Sequence, residues 1–144
     1  MSSLFSALSV GSSGMQAQRT RAELLVENLA NAETTRTPEG GPYRRKDAVF
    51  ESTGVSSPFS SVFADAQEPG GVAVAEIVTD AGAPEKRYMP GHPDADQDGY
   101  VAFPKTNPAE DMVDLMNASR SYEANVAAIG AVKDMIQRSI ELLH

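Results

Sequence analysis

The sequence contains no cysteine. A disulfide framework, a thiolate zinc site and a thiol nucleophile are therefore excluded, and a change of redox compartment leaves the chain chemically unaltered. Histidine is nearly as scarce. His92 and the terminal His144 are the only two, too few for a His-based triad or a multi-His metal site without partners that nothing identifies. Lys and Arg number 12 against 20 Asp and Glu, a formal net charge of -8 with a pI near 4.7. Phosphate neutralisation needs clustered cations, and the one basic cluster, Arg44-Arg45-Lys46, is short, so no nucleic-acid partner is expected. No window approaches 18 consecutive apolar residues, which argues against a membrane span or direct membrane insertion. The N-terminal stretch MSSLFSALSVGSSGMQAQ lacks the charged n-region and uninterrupted apolar h-region of a cleaved signal peptide.

Periodicity supplies what composition does not. Leu4, Leu8, Gly11, Met15, Gln18, Ala22, Leu25, Leu29 and Ala32 follow a 3-4 spacing in which only Gly11 and Gln18 fail to be good seam residues. The spacing predicts one amphipathic helix of about 45 Å. Its beginning is weak, because Gly11, Ser12, Ser13 and Gly14 each cost roughly 0.5–1 kcal/mol relative to Ala, so the first turns need a packing partner. Met112, Leu115, Ser119, Tyr122, Val126, Ile129, Lys133, Ile136, Ile140 and Leu143 repeat the alternation at the other end of the chain. Asn107-Pro108-Ala109-Glu110 marks where that second helix starts: an N-cap residue, then Pro at the first helical position, then an acid suited to the helix dipole.

Between the helices the period falls to two. Tyr43 to Glu51, Val72 to Val78 and Gly99 to Phe103 read as short strands, the second preceded by the turn Pro69-Gly70-Gly71. Ser52 to Ser61 reads as a loose loop that Phe50, Phe59 and Phe63 are placed to anchor. The expected fold is α+β, with long N- and C-terminal helices pairing as a coiled-coil-like layer and a small central β-rich insert. The expected divisions are an N-terminal helical segment over 1–35, the insert over 36–106 and a C-terminal helix over 107–144.

Local motifs that carry chemistry do not survive inspection. Asp94-Ala95-Asp96-Gln97-Asp98-Gly99 matches the opening of a calcium loop, but the twelfth position, where a bidentate Glu would close the site, is Lys105, and Pro90, Pro93 and Pro104 interrupt the flanks. A tight acidic turn between strands is the better reading. Gly11-Ser12-Ser13-Gly14 is not a nucleophile elbow and has no strand before it. Arg44 and Lys46 share one strand face, where solvation or pairing with the surplus carboxylates is the default. Met112, Met116 and Met135 at helical spacing read as adaptable packing. No nucleophile, base or cofactor is identified, so the chain is not expected to be an enzyme and no cofactor is expected.

The run Glu27-Asn28-Leu29-Ala30-Asn31-Ala32-Glu33-Thr34-Thr35 resembles the N-terminal motif of the rod and hook proteins of the bacterial flagellum. Thr37 to Lys46 is similar to one branch of that axial family, and so are Tyr88 to Asp96, Gly99-Tyr100-Val101, Glu110 to Asp114 and Ala118 to Asn125. Residues 52–71 carry no matching motif, and Pro104-Lys105-Thr106-Asn107 departs modestly from the family's linker. The resemblance implies a structural subunit of the proximal rod of the flagellar basal body, exported by the type III apparatus without a cleaved signal and assembled in the periplasm. Its partners would be copies of itself and other rod proteins, in a helical tube that transmits torque from motor to hook. The assembly interface would then comprise Leu4, Leu8, Met15, Ala22, Leu25, Asn28, Leu29 and Asn31 on the first helix. On the second it would comprise Met112, Leu115, Tyr122, Val126, Ile129, Ile136, Ile140 and Leu143. In that setting Ala30 and Ala32 permit close approach, and Asn28 and Asn31 bond backbone or partner groups that an apolar seam would leave unsatisfied. A soluble coiled-coil adaptor or export chaperone is the competing function.

Overall fold

The computed structural model describes residues 2–53 and 70–141. Phe59, Phe63 and Leu143, named above as anchors or seam residues, lie outside the described residues. Two helices, α1 (Ser2–Ala30) and α2 (Pro108–Glu141), enclose four strands in the chain order β1 (Lys46–Ser52), β2 (Val72–Thr79), β3 (Glu85–Tyr88) and β4 (Tyr100–Phe103). The strands form two separate antiparallel pairs, β1 with β2 and β3 with β4. This is the α+β arrangement that the periodicities imply.

The helices run antiparallel and pack along each other. Arg21 on α1 reaches Asp114 on α2 at 3.6 Å, while Gly14 lies against Asn125 and Gly11 against Ile129. Gly11 breaks the apolar rhythm of α1, and both glycines sit where α2 comes close. A methyl group on Gly11 would come within 3.0 Å of Ile129 Cγ1, and one on Gly14 within 3.1 Å of Asn125 Nδ2. The partner that the weak first turns of α1 require is thus α2 of the same chain. Gly11→Leu, which forces a side chain into this contact, should lower the unfolding free energy by about 1–3 kcal/mol, read as a reduced urea midpoint of the circular dichroism signal.

The start of α2 follows its capping signal. Asn107 Oδ1 accepts from the Ala109 N–H at 3.2 Å, Pro108 is the first helical residue, and Glu110 and Asp111 occupy the first turn.

A second stripe of α1 carries the insert. Ser13, Ala17, Leu24 and Asn28 recur at helical spacing beside the α2-facing seam; Ala17 and Leu24 are buried, and both ends of the stripe bond to the β1–β2 pair. Ser13 Oγ accepts from the Val72 N–H at 3.1 Å, and Asn28 bonds to the backbone of Lys46. The pair therefore lies along α1, with β2 running in the direction of the helix and β1 against it. Its register runs from Lys46 opposite Thr79 to Ser52 opposite Val72, with a bulge between Val49 and Phe50.

The second pair is smaller, with Glu85 opposite Phe103 and Tyr88 opposite Tyr100. Val101 and Phe103 are buried on one face of β4, while all four residues of β3 are exposed. The turn into β4 depends on Gly99, whose φ of 82° is one that residues with a Cβ rarely adopt. Asp96 Oδ1 accepts from the backbone N–H groups of Asp98 and Tyr100, and Asp94 Oδ2 accepts from the Thr35 hydroxyl. These acidic residues therefore serve as turn and tether, and no metal-holding cluster of His, Asp and Glu occurs among the described residues.

Candidate assembly interface

Asn28 is wholly buried at the end of α1. Its Nδ2 donates to the Lys46 carbonyl at 2.8 Å. Its Oδ1 accepts from the Lys46 N–H at 2.9 Å and from the Tyr43 hydroxyl at 2.9 Å. One side chain therefore closes the outer edge of β1, a backbone row that would otherwise be open to pairing. Lys46 Nζ also meets Glu27 Oε1 at 2.6 Å. Asn31, one turn later, is spent on the helix end: its Nδ2 donates to the Glu27 carbonyl, and its Oδ1 accepts from the Thr34 hydroxyl. Ala32 and Thr34 continue the exit turn through backbone bonds to Leu29 and Asn31, and Thr34 then accepts from the Tyr43 N–H.

Burial, reinforced by the negative charges of Glu27 and Asp111, pushes the Tyr43 phenol up to about 12. The unfolded chain releases that proton near the ordinary value of 10, so the stabilisation is complete below pH 10 and is lost as pH rises through 12. Over that span we expect a loss of roughly 2–3 kcal/mol. It should appear as a fall in urea midpoint between pH 10 and 12, absent in Tyr43→Phe.

The other half of the node lies on α2. Asp111 is 1% exposed, and Arg45 Nη2 stands 2.9 Å from its Oδ1. The contact lacks the alignment of a hydrogen bond, because neither Asp111 oxygen nor Arg45 Nε has a hydrogen-bond partner. Burial pushes the Asp111 carboxyl up, opposed by the Arg45 charge and assisted by Asp47, Glu110 and Asp114. Arg45 Nη2 also lies 3.4 Å from Asp47. The residue before β1 and the first residue of β1 are thus held from opposite sides, Arg45 by α2 and Lys46 by α1.

The seam residues named from the sequence divide into three groups. Leu25 and Asn28 are buried within the chain. Leu4, Leu8, Met15, Ala22 and Leu29 on α1, Asn31 just past its end, and Leu115, Ile129 and Ile136 on α2 are half-buried. Met112, Tyr122, Val126 and Ile140 are exposed, at 58%, 41%, 48% and 55%. Burial on α2 falls one residue earlier than the apolar alternation implies, on Asp111, Ala118, Asn125 and Val132 rather than Met112, Ser119, Val126 and Lys133. Met112, Met116 and Val126 consequently form an apolar strip along the outside of α2, with Val113 and Met135 exposed farther round the helix and Tyr122 at the edge that borders Met15 and Arg19 of α1. Across the pair, Phe5 and Val26 are exposed on α1. Seven exposed large apolar side chains on α2 are more than an isolated two-helix layer needs to expose. No helix of the described residues is long and apolar enough to cross a membrane.

Known proteins decide what such an arrangement belongs to. The family model described as "Flagellar basal body rod FlgEFG protein C-terminal" matches residues 97–142, which contain α2 and its strip. A flagellar basal-body rod protein FlgC of Borreliella burgdorferi is 40% identical over 149 residues, covering 98% of each chain. The FlgC of Bacillus subtilis is 40% identical over 148 residues, covering 96% of this chain and 97% of its own. That of Salmonella typhimurium is 38% identical over 140 residues, with the same two shares. The chain belongs to the FlgC family. It is a structural subunit of the flagellar basal-body rod and not an enzyme, and its place is with other rod components in the basal body. The adaptor alternative is not favoured. In this FlgC the insert is fastened to the helix pair at Asn28 and Asp111.

Proposed function

We propose that this FlgC assembles through the apolar strip left outside its own helix pair, with Met112, Tyr122, Val126 and Ile140 of α2 packing against helices of neighbouring copies and of other rod proteins. The observation that carries the reading is that α2 bears more apolar surface than α1 covers, on residues whose 3-4 spacing suits a helical partner. Of the remaining residues in the sequence-derived interface, Leu4, Leu8, Met15, Ala22, Leu25, Leu29, Leu115, Ile129 and Ile136 support the strip from within the pair, while Asn28 and Asn31 hold the turn from which the insert leaves. Leu143 extends the same spacing. The assembled product is a helical tube in the periplasm that transmits torque from motor to hook. The subunit reaches it through the flagellar type III export apparatus without a cleaved signal peptide.

The test is to place an epitope tag between positions 54 and 66, purify detergent-resistant envelope assemblies, and blot for it. Recovery with the flagellar base is the expected outcome. Recovery only as a cytosolic monomer or heterodimer would contradict the assembly reading.

A further inference from the structure

Helix α2 offers two ways to face α1. Both share the row Leu115, Ile129 and Ile136, but one adds Asp111, Ala118, Asn125 and Val132 and the other adds Met112, Ser119, Val126 and Lys133. One residue is a rotation of about 100°, and with one row shared the two settings differ by about half of that. Apolar burial alone hardly decides between them, since Ala118 and Val132 of one row stand against Met112 and Val126 of the other, and each row also carries one charged and one neutral polar residue. The structure adopts the first setting, with Asp111 buried and Met112 and Val126 outside.

With apolar burial undecided, the contacts of the polar row set the choice. Arg45 stands 2.9 Å from Asp111. The backbone around Arg45 is pinned: its carbonyl accepts from the Asp80 N–H at 2.8 Å, and the next residue is held by Asn28. About four turns along α2, Asn125 fits into the space left by the missing side chain of Gly14. A buried ion pair without aligned hydrogen bonds is a poor source of stability, and the best-attested use of such pairs is to fix register. We propose that the Arg45–Asp111 pair is an orientation device: it sets the roll of α2 about its own axis, so that Met112 and Val126 point away from α1. That these outward residues then meet a neighbouring copy rests on the assembly reading above; the roll itself does not.

The absence of native cysteine makes the roll measurable in the monomer. Single-cysteine variants Met112→Cys, Val126→Cys and Ala118→Cys would be labelled with a maleimide, first alone and then combined with the apolar pair Arg45→Met/Asp111→Leu. Alone, positions 112 and 126 should label rapidly and position 118 slowly. With the apolar pair, labelling at 112 and 126 should slow, and that at 118 accelerate, by roughly tenfold or more, with helicity unchanged. Asp111→Asn should move the same rates in the same direction by less. Unchanged rates in the folded double variant would overturn the proposal, as would a double variant that fails to fold, since the pair would then supply stability rather than orientation. If the rates reverse but the double variant enters rods at the parent level, the device stands and the assembly reading fails.

Discussion

Asn28→Ala should lower the unfolding free energy by roughly 3 kcal/mol or more, the largest loss we expect from any single polar side chain in the protein. The magnitude follows from what the amide leaves behind. It removes the only hydrogen-bond partner of the Lys46 carbonyl and N–H outside the strand pair, and the acceptor of the Tyr43 hydroxyl, in a site with no exposure. Each orphaned buried group costs about 1–3 kcal/mol. Asn31→Ala is the control: its bonds stay within the helix end and the residue is only half-buried, so about 1 kcal/mol is expected. Urea denaturation followed by circular dichroism measures both, and equal losses for the two variants would show that Asn28 is not the node described.

Val126→Asp should do the opposite, leaving the monomer nearly unchanged while abolishing its incorporation into the rod. Val126 is 48% exposed, and a surface substitution of this kind typically changes folding stability by about 0.5 kcal/mol or less. Against a neighbouring helix, an unpaired carboxylate loses its hydration at a cost of several kcal/mol, enough to remove binding. Leu25→Asp, at a buried position, should instead fail as a monomer. Soluble monomer yield, urea midpoint and swimming motility together separate the two. Normal motility with Val126→Asp would remove the strip of α2 from the interface.

Much of this architecture was legible because long helices repeat their pattern many times. The existence of the two long helices needed only the 3-4 spacing, and Asn107-Pro108 located the start of α2 through the chemistry of the first helical turn. What stayed hidden depends on contacts between distant residues. Gly11 reads as a defect in a seam until Ile129 is seen to fill its place. Ser13, Ala17, Leu24 and Asn28 carry a periodic signal of their own, but it is masked by Leu25 and Leu29 beside it, so the insert-bearing stripe of α1 was missed. Strand β3 escaped because four exposed residues, Glu85 to Tyr88, have no alternation to read; Gly99 and the pairing to β4 create it.

The interface shows the same limit. Alternation located the apolar rows of α2 but could not choose between them, because the choice is made by Arg45, 66 positions earlier in the chain than Asp111. Within the basic cluster Arg44-Arg45-Lys46, Lys46 pairs with Glu27 as expected, whereas Arg44 donates to the Asp80 carbonyl and it is Arg45 that pairs with Asp111, so the two carboxylates come from opposite ends of the chain. Asn28 and Asn31 were expected to bond backbone groups; only the fold reveals that the first bonds a strand and the second its own helix.

The central claim is that the strip outside α2 is covered when the protein is in the rod. The direct measurement is maleimide labelling of Val126→Cys, in the otherwise cysteine-free chain, as purified monomer and in isolated basal bodies. The account predicts rapid labelling of the monomer and protection in the basal body that is lost when the rod is dissociated. Labelling at the monomer rate within intact basal bodies would contradict it.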